Sequence, residues 1–203
     1  MFKNYLASQF SKPHGIGGLF MSHIFAKDNQ KQNDWVISLL NIQPDDKILE
    51  IGYGNGKSIF KLAQKYNAFI SGIDSSKIMF KKASQLNKEK IKTGNVEIKL
   101  GEVPPLPYND ETFNKIFAVY VLYFWDKPLD VLKEIYRILK KGGAVALYLS
   151  TKETLKNISY TQTKIFHSYT AKELTKLYQD AGFEKIRMEY FNNNEGICAI
   201  GQK

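Results

Sequence analysis

The sequence holds one cysteine, Cys198, two arginines, and no apolar run approaching the length of a bilayer. A single thiol excludes an intrachain disulfide and any thiolate-cluster metal site, so no metal is expected. Cys198 lies in Gly196-Ile197-Cys198-Ala199-Ile200, which reads as a buried strand, and its expected role is that of a small core residue. A membrane-spanning helix needs about 20 consecutive apolar residues, and none is present. The first residues show no basic region followed by an apolar core and a small-residue cleavage site, so the expected compartment is the cytoplasm. Arg137 and Arg187 are the only arginines among 29 basic residues. The net charge of +9 is therefore a lysine charge, spread over predicted helix surfaces instead of gathered in one run. Bidentate reading of bases or phosphates prefers arginine. A solvated lysine-rich surface is expected, and not a nucleic-acid footprint.

What is present is enough for a core. The 203 residues are 43% hydrophobic, with a mean hydropathy of −0.34. That fits one globular domain over 1–203, either a monomer or a homodimer. The stretch Ile48-Leu49-Glu50-Ile51-Gly52-Tyr53-Gly54-Asn55-Gly56 organises it. Apolar residues surround one acid, three glycines follow at alternate positions, and a helical pattern resumes at Ile59, Leu62, Ala63 and Tyr66. A short strand, a glycine turn and an amphipathic helix make the first βα unit of an open α/β sheet. Glycine permits positive φ and close approach of a ligand to the main chain. The N–H groups of the next helix point at whatever occupies the turn.

Spacing separates the ligand classes. A dinucleotide site wants G-x-G-x-x-G, and counted from Gly52 its last place falls on Lys57. A P-loop wants G-x-x-x-x-G-K-[ST]; Gly56-Lys57-Ser58 supplies its end, but its first glycine falls on Ile51.

Residues 1–30 mix aromatic, apolar and glycine positions (Phe10, Gly17, Phe20, Phe25) without a period. They are expected to form a lid over the site or to cover a sheet edge, with residues 31–203 as the α/β core. Asn33 or Asp34 is expected to cap a helix with Val36, Leu39 and Leu40 inward. Further strands are expected over 68–73, 96–100, 114–123, 144–149, 183–190 and 196–201. Ser75-Ser76 opens a helix with Met79, Ala83 and Leu86 on one side. Pro128 opens another, closed by Lys140-Lys141-Gly142-Gly143. Thr170-Ala171-Lys172-Glu173 is a capping box for a helix ended by Gly182, and Asn192-Asn193-Asn194 joins the last strands as a hairpin. The expected fold is α/β: a doubly wound, mostly parallel seven-stranded sheet with an antiparallel last strand.

The E-x-G-x-G-x-G of Glu50 to Gly56 resembles motif I of the class I S-adenosylmethionine (SAM)-dependent methyltransferases. Gly72-Ile73-Asp74-Ser75-Ser76, with Met79 and Ala83, is similar to that family's G-x-D-x-S-x-x-M-x-x-x-A. Leu106-Pro107-Tyr108 with Phe113-Asn114-Lys115-Ile116 resembles its L-P-F…F-D-x-[IV] run. Leu132 to Gly143 and Ala181-Gly182-Phe183 resemble its segments before strands five and six. The likeness covers most of residues 47–190. It implies a Rossmann-like fold, SAM as cofactor, and methyl transfer. By it, Glu50 and the turn of Gly52, Tyr53, Gly54, Asn55 and Gly56 would hold the methionine part, and Asp74 with Ser75 the ribose. Gly101 and Glu102 would lie near the adenine amino group, with Met79 and Val103 sandwiching the ring.

Two departures bear on the acceptor. Asn114 stands where the family often has Asp, and is expected to cap a strand. Strand four ends Tyr120-Val121-Leu122-Tyr123-Phe124-Trp125, without the [DNS]-P-P-[YF] of enzymes that methylate base amino groups. Tyr123 replaces a histidine common in related sequences. A base is needed only if the acceptor must lose a proton, and the candidates are His14, His23 and His167, with Tyr123 at the lost histidine's place. Tyr53, Tyr120, Tyr123 and Tyr160 could line an aromatic pocket near the sulfonium. Residues 150–168 are long for a routine connection and are expected to pack over the methyl group with residues 1–30. The acceptor expected is a small molecule, with no membrane or nucleic-acid partner. The rivals are a methyltransferase on RNA or protein, and a non-catalytic nucleotide-binding module or NAD oxidoreductase.

Overall fold

The computed structural model describes residues 29–203 apart from 157, 159, 160, 164 and 165. The expected lid or edge cover (residues 1–28 of it), His14, His23 and Tyr160 lie outside the described residues. The strands are β1 (Lys47–Ile51), β2 (Phe69–Asp74), β3 (Val96–Leu100), β4 (Phe113–Val119), β5 (Leu139–Ser150), β6 (Glu184–Phe191) and β7 (Gly196–Gln202). The helices are α1 (Gln30–Leu39), α2 (Lys57–Lys65), α3 (Lys77–Leu86), α4 (Lys88–Lys92), α5 (Pro128–Ile138), α6 (Lys152–Lys156) and α7 (Ala171–Asp180). The sheet order is β3-β2-β1-β4-β5-β7-β6. β1 pairs parallel with β2 and β4, while β7 inserts antiparallel between β5 and β6. The last strand is thus the antiparallel one. Strand order reverses between β1 and β4.

Alternation along β1 feeds two cores. Leu49 and Ile51 pack with Val131, Leu132 and Ile135 of α5 and with Leu174 and Tyr178 of α7. Ile48 packs on the opposite face with Val36 of α1, Ile59 and Leu62 of α2, and Met79 and Ala83 of α3. Helices on both faces explain why Ile116-Phe117-Ala118-Val119 of β4 is apolar throughout. Among the described residues no helix is long and apolar enough to cross a membrane.

Local signals set several boundaries. Thr170 and Glu173 form the capping box of α7, and Gly182 follows it at φ +97. Asn192, Asn193 and Asn194 all take positive φ in the β6–β7 hairpin, which asparagine tolerates better than most residues.

Elsewhere the boundaries differ from the sequence reading. β4 stops at Val119, not 123: Tyr120 turns to φ +62 and Leu122–Phe124 form a 3-10 turn. That turn is itself buried, with Leu122 and Tyr123 at 1% and 2% exposure, and apolarity alone cannot tell a buried turn from a strand. Gly142 and Gly143 do not end α5; they sit inside β5, where Gly142 N–H donates to the Lys203 carbonyl (2.8 Å) and Lys203 N–H to the Gly143 carbonyl (3.0 Å). Pairing with the chain's last residue outcompetes the helix cap. α1 starts at Gln30, and Asn33 and Asp34, expected as its cap, lie inside it, Asn33 bonding back to the Asn29 carbonyl (3.1 Å) and Asp34 pairing with Lys61 (2.8 Å). Leu86 is 38% exposed, since α3 ends there and gives way to α4.

Tyr53 crosses from the glycine turn over the bare face of Gly72. A Cβ on Gly72 would fall 2.4 Å from Ile59 Cδ1 and 2.7 Å from Tyr53 Cδ1. Gly72→Ala is therefore expected to cost about 1–3 kcal/mol of stability. The readout is a lower urea midpoint at unchanged slope, and an unmoved midpoint would show the Tyr53 contact to be slack.

Candidate cofactor and active site

The chain leaves β1 through Gly52, Gly54 and Gly56 at φ +76, +55 and +76, and α2 begins at the next residue. The three glycines answer different constraints. A Cβ on Gly52 would sit 2.4 Å from Val121 Cγ2, and one on Gly56 would sit 2.7 Å from Ala83 Cβ. A Cβ on Gly54 would meet nothing within 4 Å. The outer two let protein pack close, and the middle one presents its main chain to open space where a ligand can approach.

Two carboxylates end at this turn. Asp74, the last residue of β2, accepts the Gly54 N–H on Oδ2 (2.9 Å) and the Ser76 N–H on Oδ1 (2.8 Å). Each oxygen keeps a second lone pair for an incoming hydroxyl. Burial raises the Asp74 pKa, against the two backbone bonds that lower it. Glu50, on β1, is 3% exposed and accepts the Ser58 hydroxyl of α2 on Oε2 (2.5 Å). Burial pushes its carboxyl up to about 8; the Ser58 bond opposes this and the nearby Asp74 charge adds to it. Near neutral pH Glu50 is therefore largely protonated, and a cation arriving beside it would favour the ionised form.

The other expected residues fall into place unequally. Tyr53 is 3% exposed and donates its hydroxyl to the Lys99 carbonyl (3.0 Å), so its ring is packed in the core and only its main chain lines the turn. Asn55 Oδ1 accepts the Lys57 N–H (3.2 Å). Ser75 is half-buried beside Asp74. Gly101 N–H donates to the Asp74 carbonyl (3.0 Å), which brings Glu102 and Val103 to the same end of the sheet. Met79 and Val103 belong to the two different core clusters and are not brought into contact.

Tyr120 touches both clusters at the reversal point. Its φ of +62 is rare for a bulky residue and is held by its N–H bond to the Tyr148 carbonyl (2.9 Å). Its ring meets Tyr148 edge-on at 5.1 Å and stacks 6.4 Å from Tyr123. Tyr123 is buried and its hydroxyl is engaged by the Ser150 main chain, which ties the 3-10 turn to the end of β5. His167 is exposed and donates its N–H to the Tyr123 carbonyl (3.1 Å). Phe166 packs on Tyr123 (5.4 Å) and Phe124 (4.9 Å), so this part of the 150–168 segment lies at the carboxyl end of the sheet.

Several residues escaped the sequence reading. Ser58, seen there only as the tail of an incomplete P-loop, is the donor to Glu50. Asn87, 1% exposed at the end of α3, donates to the Gly56 carbonyl (3.2 Å) and fixes the turn from below. Val121 fills the space above Gly52. None has a sequence signature, because each matters only through a neighbour distant in the chain. Asn114, expected as a cap, accepts the Lys47 N–H (3.0 Å) at the start of β1.

A glycine turn and two acids at the strand-order reversal of a doubly wound sheet define a nucleoside-cofactor site. Open main chain at Gly54, a carboxylate for hydroxyls and a buried acid for a cationic group fit the chemistry of SAM. A methyltransferase-domain family profile matches residues 49–147. The uncharacterized methyltransferase YdaC of Bacillus subtilis is 29% identical over 188 residues, 91% of this chain and 98% of that protein. The putative methyltransferase YrhH of Bacillus subtilis is 35% identical over 130 residues, 63% of this chain and 70% of that protein. Phosphoethanolamine N-methyltransferase 2 of Haemonchus contortus, solved with S-adenosyl-L-methionine, shares the fold at a TM-score of 0.73 and 15% identity, over 86% of this chain and 52% of that one. The chain belongs to the class I SAM-dependent methyltransferases, and SAM is its cofactor.

Glu50 makes a pH test of the site. Its folded pKa lies above the unfolded carboxylate value of 4.5, so the unfolded chain releases this proton first as pH rises. Stability without ligand should fall between about pH 4.5 and 8, with a slope approaching about 1.4 kcal/mol per pH unit from this group alone. Glu50→Gln should remove that slope while leaving the Ser58 donor an acceptor. Denaturant midpoints across this range are the measurement, and parallel pH profiles for the two proteins would contradict it.

Proposed function

We propose that the methyl acceptor is a small molecule held against an aromatic wall beside the glycine turn. The observation that carries this is the run of rings at the carboxyl ends of β4 to β6, where half-buried Tyr120, Phe166, Phe191 and Trp35 of α1 stand on the buried rings of Tyr123 and Tyr148. Phe191 lies 5.2 Å from Trp35, Trp35 5.9 Å from Tyr148, Tyr148 5.1 Å from Tyr120, and Tyr123 5.4 Å from Phe166. Val121, next to Tyr120, touches Gly52, so the wall borders the turn directly. Such a wall suits a compact apolar or planar acceptor, and ring faces attract a neighbouring cationic centre.

The cofactor, when bound, supplies a methyl group already activated on a sulfonium. What the chain contributes is alignment of the acceptor atom with that methyl, which can supply most of the catalysis. We assign the methionine end to Glu50 and the turn of Gly52 to Gly56, the ribose to Asp74 with Ser75, and the adenine to the Gly101–Val103 segment with Met79 at its rim. Tyr120 is assigned to the acceptor side, where its hydroxyl is hydrogen-bonded with Tyr148. A nucleic-acid acceptor is favoured only by the lysine charge. Against it, Arg137 is engaged by Glu134 and Asp110, and Arg187 by Glu189 and the Leu39 carbonyl.

S-adenosylhomocysteine or SAM at about 100 times its dissociation constant should stabilise the protein by roughly 2.7 kcal/mol, raising the melting point about 5–10 °C. NADH and ATP should not. Asp74→Ala should weaken SAM by about 1.5–3 kcal/mol in calorimetry, through lost ribose bonds and release of the Gly54 N–H. Unchanged affinity would reject the ribose assignment. With methyl-labelled SAM and fractionated cell extract, label should appear in the low-mass fraction. Label confined to RNA or protein would overturn the small-molecule reading.

A further inference from the structure

We infer that Glu134 and Arg137 are positioning residues for the cofactor's adenine, acting through the proline loop without touching the ligand. The inference rests on the assignment above that Glu102 and Val103 border the base. That loop leaves β3 at Gly101 and reaches β4 at Phe113. Pro104, Pro105 and Pro107 deny it three backbone donors, so no strand ladder can hold it. α5 holds it instead.

The Arg137 guanidinium donates Nε–H to Glu134 Oε1 (2.9 Å) and one Nη to Glu134 Oε2 (2.9 Å) and the Leu106 carbonyl (3.1 Å). Its other Nη donates to the Tyr108 carbonyl (2.9 Å) and the Asp110 carboxylate (2.7 Å). All five of its N–H donors are used. Glu134 Oε2 also accepts the Leu106 N–H (3.0 Å), so Leu106 is gripped by both of its main-chain groups. From the strand side, Tyr108 hydroxyl bonds Ser71 (2.8 Å) and its ring meets Phe113 at 4.8 Å.

Outside the loop lies a solvent-open groove of about 590 Å³, lined by Pro104, Pro105, Asp130, Lys133 and the clamp itself. The Leu106 side chain is buried in the core, and the clamp fixes its main chain from the groove side. Leu106 stands three residues after Val103, with two stiff prolines between them. A clamp on Leu106 therefore fixes how far Glu102 and Val103 stand from the carboxyl end of β2. An arginine is suited to this role because its planar fork sets angles as well as charge.

The test titrates S-adenosylhomocysteine and S-inosylhomocysteine, which differ at the base's 6-position and in whether N1 accepts or donates, into wild type, Arg137→Lys, Glu134→Gln and Lys133→Ala. Wild type should prefer the adenine ligand by about tenfold, as for one lost hydrogen bond at a fixed site. Arg137→Lys keeps the charge and loses the fork; it should bind both ligands weakly with the preference reduced to about twofold or less. Lys133→Ala, on the same groove outside the clamp, should keep the wild-type ratio. Should Arg137→Lys not fold, Glu134→Gln decides by the same ratio. An unchanged ratio in the folded clamp variants overturns the inference, even if both affinities drop, because a general loss of stability lowers both alike. Wild-type binding without base preference would instead overturn the placement of the adenine at this loop, and failure of wild type to bind S-adenosylhomocysteine would overturn the cofactor-site assignment.

Discussion

The bond from the Gly54 N–H to the Asp74 carboxylate joins the ends of the first two strands, and the site is built around it. Three left-handed residues in five leave the turn few main-chain bonds, the Gly52 N–H to the Ile73 carbonyl (2.7 Å) and the Gly56 N–H to the Tyr53 carbonyl (3.0 Å) among them, and side-chain partners complete its conformation. Asp74 holds it from the side, Asn87 from below through the Gly56 carbonyl, and Val121 from above at Gly52. Under the proposed assignment the same carboxylate would receive the ribose, so organising the empty turn and binding the cofactor would draw on one group. Removing it is expected to affect both.

Glu50 stands in a contrasting environment a few residues away. Asp74 has two main-chain donors, whereas Glu50 has one hydroxyl donor and deep burial, which pushes its carboxyl up to about 8. Burial therefore favours the protonated form in the unliganded protein, and a cationic partner beside Glu50 would favour the ionised one. Class I SAM-dependent methyltransfer needs a bound cation oriented toward an acceptor, and under the proposed assignment Glu50 would face that cation on one side. The aromatic wall from Trp35 to Phe166 lies on the other.

Charge elsewhere is mostly local. The Lys152–Glu173 pair (3.0 Å) ties α6 to the capping box of α7, and hydrogen bonds hold the Glu173 carboxyl down to about 2. Exposed pairs of this kind contribute little individually. The Glu134–Arg137 clamp differs because it grips main-chain groups of a proline loop that has no strand ladder.

Local physics was legible in the sequence. Alternation and helical period gave the seven strands and the main helices. The glycine spacing excluded dinucleotide and P-loop sites, and the acids at the ends of β1 and β2 could be picked out beforehand. Capping residues fixed the start of α7, and three asparagines fixed the last hairpin. What the sequence left undetermined depends on residues far apart in the chain. β4 ends at Val119 because Val121 must turn over Gly52, and the Gly142-Gly143 pair lies within β5 because Lys203 bonds there. Tyr53 was expected at the site and packs into the core because Gly72 leaves room for its ring. Ser58, Asn87 and Arg137 gain their roles from partners 8, 31 and up to 31 residues away. Periodicity reports which face of an element is buried, and motif spacing reports backbone requirements at one turn. Which side chain meets which is decided only when the sheet order closes, since each contact depends on the placement of every strand between.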